Sequence, residues 1–134
     1  LARINAARAA GASCGSEGRF APARPLAWNA QLAQAARGHS LDIAAANALS
    51  HTSRDGRGLR ERIDAAGYAW RLIGENVAGG DTTVSGVMQG WLASPPHCAN
   101  LLHPGYTEVG AACVLAAPGA RYATFWTLKF AAPR

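Results

Sequence analysis

The amino-acid sequence predicts an α+β domain in which helices pack against an antiparallel sheet. Three observations carry that reading. A stripe of Leu32, Ala36, His39, Ile43 and Ala46 recurs at offsets 4, 7, 11 and 14, the spacing of one helical face. Two apolar, partly alternating runs, Glu108 to Ala117 and Arg121 to Phe130, flank Pro118-Gly119, a hairpin signal. The order is helices first, then strands mixed with a helix, then a terminal hairpin, which suits layers of helix on sheet. With 134 residues, residues 1–134 are enough for one compact domain that buries about two-thirds of its unfolded surface.

Taken in order, Leu1 to Ala10 is alanine-rich and stops at Gly11, which reads as a helix with a glycine stop. Ser13 to Pro25 holds Gly15, Gly18, Pro22 and Pro25 and reads as a long tethering loop. Asn29 caps the long helix that carries the stripe, to about Ala48, and His39 points to the core as a satisfied histidine. A shorter helix, Leu59 to Ala66, stops at Gly67. Tyr68 to Ala78 is the first strand and gives way to Gly79-Gly80. Asp81 is the expected N-cap of a helix whose inner face is Val84, Val87, Met88, Trp91 and Leu92, and Pro95-Pro96 ends it. Trp28, Trp70, Trp91 and Trp126 all fall in periodic or strand-like settings and are expected in the core.

Composition narrows the function. Hydrophobic residues make up 49% and charged residues 16%, which excludes a disordered chain. No apolar run approaches the roughly 20 residues of a transmembrane helix, and no charged start, apolar run and cleavage site marks an export signal. Thirteen Lys and Arg against eight Asp and Glu give a formal charge of +5. Most arginines are scattered (Arg3, Arg8, Arg37, Arg71, Arg121), with a looser group at Arg54, Arg57, Arg60 and Arg62, so no nucleic-acid partner is expected. Cys14, Cys98 and Cys113 show no thiolate zinc spacing; one disulfide and one buried thiol is the simpler account.

Three phrases then stand out: Ser50-His51-Thr52, Gly74-Glu75-Asn76-Val77, and the run Trp91 to Asn100 containing His97-Cys98. They bring two imidazoles and a carboxylate from separate segments, a candidate metal or acid/base site. Together with Pro25-Leu26-Ala27-Trp28-Asn29, Arg62-Ile63, Ala66-Gly67-Tyr68 and Glu108-Val109-Gly110, they form an ordered set running from Ile4 to Phe130. That set resembles the CAP superfamily, the cysteine-rich secretory, antigen 5 and pathogenesis-related 1 proteins that share the SCP domain, and especially its short bacterial branch. The resemblance implies an α-β-α sandwich, a central antiparallel sheet covered by helices on both sides, with an open cleft lined by a His/Glu tetrad. Carried over, the cleft histidines fall on His51 and His97 and the carboxylate on Glu75. Many animal members carry a second glutamate three residues after the tryptophan, where this chain has Ser94. The resemblance also implies a disulfide between Cys14 and Cys98, with Cys113 left as a buried thiol, and hence a secreted or periplasmic location.

Two neutral imidazoles suit zinc or a similar divalent ion, with water in the remaining positions and Glu75 orienting one of those waters. Two protein ligands are fewer than the usual three of a catalytic zinc site, so weak, exchangeable binding is expected. The same side chains would also serve as a hydrogen-bond network that closes loops over the sheet. Ser94 beside His97 lacks a nucleophile elbow and reads as a helix terminator; His103, before Pro104-Gly105, reads as a turn residue. The expected function is a monomeric, metal-binding CAP-domain protein that acts by binding a partner protein, a lipid or a cell-surface component. The alternative is a metal-dependent, peptidase-like hydrolase of an extracellular polymer, with Glu75, His51 and His97 as its residues. Ser94 in place of a carboxylate removes one general acid/base and favours binding.

Overall fold

The computed structural model describes residues 1–134. Helix α1 (Ala2–Ala10) ends at Gly11. The following segment is a loop only in part: strands β1 (Ala12–Ser13) and β2 (Arg19–Phe20) pair antiparallel around a 3₁₀ turn, Gly15–Glu17. Strand β3 (Ala27–Trp28) leads into α2 (Ala30–Ala46), where the Asn29 side chain accepts from Leu32 N at 3.0 Å. Then come α3 (Leu59–Ala65), β4 (Trp70–Gly79), α4 (Val84–Ala93), α5 (Pro95–Leu102), β5 (Glu108–Leu115) and β6 (Thr124–Pro133).

The sheet order is β3-β5-β6-β4. The three long strands are antiparallel as expected, whereas β3, too short to show alternation, pairs parallel to β5. Alternation along β6 builds the two faces. Phe125, Thr127, Lys129 and Ala131 face α2 and α3; Leu128 and Phe130 face α1, α4 and α5. This is an α-β-α sandwich. The larger core joins Ile4, Val87, Met88, Trp91, Leu101 and Leu102 to Val109, Leu128 and Phe130, and each fully buried Leu or Phe contributes about 1.5–3 kcal/mol. On the other face, a Cβ on Gly110 would lie 2.1 Å from Ala33 N, so glycine is what lets α2 sit directly on β5.

Several expectations are corrected. Thr83, not Asp81, caps α4, its hydroxyl accepting from Gly86 N at 3.0 Å. The Asp81 carbonyl instead accepts from Thr124 Oγ1 (2.6 Å) and Trp126 Nε1 (2.8 Å), tying the β4–α4 loop to β6. Pro95 and Pro96 do not merely end α4. They open α5, where a missing N–H would have had no helical partner anyway. Ala46 is exposed because Asn47 takes a left-handed conformation (φ 55°) and ends α2. Trp28 is 49% exposed on edge strand β3, Trp70 and Trp126 are half-buried, and only Trp91 is a core tryptophan. Cys113 is exposed, as is neighbouring Leu115, at the end of β5 away from the buried Val109.

The Cys14–Cys98 disulfide is present, with Cα atoms 5.5 Å apart. It fastens the β1–β2 hairpin to α5 across 84 residues, a closure that removes about 4 kcal/mol of unfolded-chain entropy.

Candidate functional site

Glu75 lies mid-way along β4, on the face toward α2, directly across from Lys129 of β6. Its side chain is 2% exposed. Lys129 Nζ donates to Oε2; Arg62 of α3 reaches Oε1 at 3.2 Å and Oε2 at 3.0 Å. His51, in the loop after α2, contacts Oε1 through Nδ1 at 2.7 Å, and His39 Nε2 stands 3.8 Å from the same oxygen. Burial alone would raise the Glu75 pKa. The hydrogen bond from His51, the charge and hydrogen bond of Lys129 and the nearby His39 outweigh it and hold the carboxyl at about 2. Burial also brings Lys129 down to about 8, against the raising effect of Glu75.

The ionised carboxylate only accepts, so the His51 Nδ1 carries the proton and Nε2 presents a lone pair. His51 itself is 59% exposed. On the other side of edge strand β4, His97 sits in the first turn of α5, its Nδ1 2.8 Å from Ser94 Oγ. Desolvation lowers the pKa of His97, and a proton on nearby His51 would lower it further, which favours the neutral ring. Asn76 secures this helix to the sheet: its amide donates to the His97 carbonyl at 3.1 Å, and its Oδ1 accepts from Asn100 at 2.9 Å. Ser94 therefore orients His97 in addition to joining the two helices. His103 holds its turn, accepting from Gly105 N at 3.0 Å.

The model of the cysteine-rich secretory protein (CAP) family matches residues 1–130. The chain belongs to this family. The protein YkwD of Bacillus subtilis is 28% identical over 107 residues, covering 80% of this chain and 39% of YkwD. An extracellular SCP-domain protein of Bacillus anthracis is 32% identical with a TM-score of 0.71, covering 81% of this chain and 34% of that one. An outer surface protein of Borrelia burgdorferi, 19% identical, shares the fold with a TM-score of 0.74, covering 84% of this chain and 80% of that one. The chain thus spans about two-fifths of YkwD and a third of the B. anthracis protein.

Within this CAP fold, His51, Glu75 and His97 are gathered around β4, but Glu75 lies behind His51. Both its oxygens already accept from protein donors, so it does not stand free to orient a metal-bound water as expected. No three His, Cys, Asp or Glu side chains are grouped to hold a metal ion. The donors that suit a divalent ion are the two imidazoles, with Glu75 fixing the tautomer of His51 as carboxylates do behind metal-binding histidines. Arg62 and Lys129 are site residues that the sequence pattern does not reveal as such. A lone lysine inside the apolar run Trp126 to Phe130 is the available signal, since a charge at a buried strand position requires a partner.

Proposed function

We propose that this CAP domain is a secreted binding module whose cleft holds a divalent ion, zinc, weakly between His51 and His97, and which acts by engaging a partner protein, lipid or surface component. The observation that carries the reading is that each imidazole is anchored through Nδ1, His51 by Glu75 and His97 by Ser94, while neither Nε2 makes a hydrogen bond within the protein. Water would complete the coordination. Binding is favoured over hydrolysis because Glu75 is fully engaged and Ser94 replaces the other carboxylate, so no free carboxylate remains as a base. Secretion is supported by the Cys14–Cys98 disulfide, by the extracellular SCP-domain relative, and by the absence of any helix long and apolar enough to cross a membrane.

The test is calorimetric titration of zinc into metal-stripped protein, at a temperature where every variant is folded. His97→Ala should abolish binding, and Glu75→Gln should weaken it by about 10–100-fold, as expected when a ligand's supporting carboxylate is lost. Zinc binding that survives His97→Ala, or none in the unmutated protein, would remove the metal from this reading.

A further inference from the structure

The sheet has two edges, and the chain treats them differently. At β4 the ladder with β6 directs the main-chain groups of Ile73, Glu75 and Val77 outward, and each of their carbonyls accepts from a side chain: from Tyr106 Oη at 3.3 Å, Asn100 Nδ2 at 3.2 Å and Trp91 Nε1 at 3.1 Å. At the other edge β3 is only two residues long and pairs with Glu108 and Val109 alone. The Val109 carbonyl accepts from Asn29 N, and because main-chain direction alternates along a strand, Ala111, Cys113 and Leu115 point the same way. Nothing in the chain hydrogen-bonds their outward groups.

A bare edge of this kind invites another strand, and proteins ordinarily guard it with a charge, a proline, a bulge or a cover. This edge has none of these. Val109 to Ala117 holds no charged residue and no proline, and the β5–β6 register runs without a shift. Cys113 and Leu115 are exposed, Leu115 to 85%.

The pattern of the edge suits a second copy of itself. A two-fold axis through Cys113 lays β5 antiparallel against β5, so that Cys113 meets its own counterpart and Leu115 of each copy lies beside Ala111 of the other, a large side chain against a small one. The outward N–H and C=O of all three residues are then paired. The strand seam is free of charge, so two chains of formal charge +5 meet there without close like-charge contacts. The helices allow it as well. Helix α2 packs over both β5 and β6, and small residues flank it toward this edge, Ala33 beside Gly110 and Ala44 in the cluster with Val114. With strands about 4.8 Å apart, the two α2 helices would lie about 10 Å apart, the spacing of packed helices. Arg37, exposed between Ala33 and Ala44, lies toward the Gly110 end, and an axis at Cys113 sets its two copies apart.

We propose that this edge joins two copies of the chain into a homodimer through antiparallel β5–β5 pairing, which makes one continuous sheet of two four-stranded ones, in place of the monomer expected from the sequence. The pairing uses neither the cleft nor its ion.

The experiment is sedimentation velocity of the chain over a concentration series with EDTA present, so that no metal bridges the copies. A concentration-dependent dimer is expected, and equally so in Cys113→Ser, which excludes an intermolecular disulfide as its cause. Leu115→Lys should raise the dissociation constant at least about tenfold while its circular dichroism spectrum is kept. A short bismaleimide should link the unmutated copies through Cys113, since directly paired Cα atoms stand about 5.5 Å apart. A monomer at every concentration overturns the proposal and leaves the edge to a strand of another protein. It is equally overturned by a dimer that Cys113→Ser abolishes, that Leu115→Lys leaves intact, or that the bismaleimide does not link.

Discussion

Arg8 and Glu75 are both charged and buried, on opposite sides of the sheet, and they are satisfied in opposite ways. Arg8, fully buried, donates to four main-chain carbonyls, those of Arg24, Leu101, His103 and Tyr106, and pairs with no carboxylate. Its charge meets the carbonyl end of α5, where the helix dipole is negative, and it closes the chain around that end. Glu75 is instead surrounded by side chains, of which Lys129 and Arg62 are buried and His51 reaches the surface. The Arg8 arrangement is closed and fixes a loop. The Glu75 arrangement is open at one end, and the open end is an imidazole, so a buried charge is converted into the orientation of a surface ligand.

The largest effect should come from Glu75→Gln, which leaves Arg62 and Lys129 without their counter-charge. A loss of about 3–5 kcal/mol in urea unfolding is expected, the usual cost of breaking a buried ion pair from one side. Arg8→Met should cost somewhat less, about 2–3 kcal/mol, because the carbonyls it abandons are neutral and some can turn to water. It should leave zinc affinity at the cleft unchanged, which Glu75→Gln should not. Equal zinc defects in the two variants would break the contrast between a closed structural charge and an open functional one.

The contrast also marks how far the sequence could be read. The helices, the three long strands and the cleft residues His51, Glu75 and His97 announce themselves because periodicity, turn residues and short phrases are local. Arg8 reads as one scattered surface arginine, because its partners are carbonyls up to 98 residues away and carbonyls have no sequence signature. Lys129 and Arg62 cannot be assigned to Glu75 for a related reason: the lone lysine signals that some partner is needed, but pairing it with Glu75 requires the β4–β6 register. The prolines before His97 read as a stop, although the same residues equally begin a helix; only the fold decides between the two. Ala46 and Trp28 follow the pattern but lie where an element ends or forms an edge, and periodicity does not report cover.

The smallest effect is the pH dependence, and it separates the two charges most cleanly. Glu75 is held at about 2 in the folded chain against 4.5 for a free glutamate, so between these values the unfolded chain binds more protons. Stability from this group is therefore complete above pH 4.5 and drains away as the pH falls toward 2. One pH unit below 4.5 the loss should be about 1 kcal/mol. Asp42 and Asp55, also held below their usual range, add their own acid dependence, so the comparison must be with Glu75→Gln, whose stability should fall less steeply in this window. Arg8 carries its charge throughout the same window, and Arg8→Met should keep the full acid slope from a lower starting stability. If instead Glu75→Gln and the unmutated chain run parallel from about pH 5 to about pH 3 in urea unfolding, the carboxylate is not held by the cations around it, and the orientation of His51 must come from its loop alone.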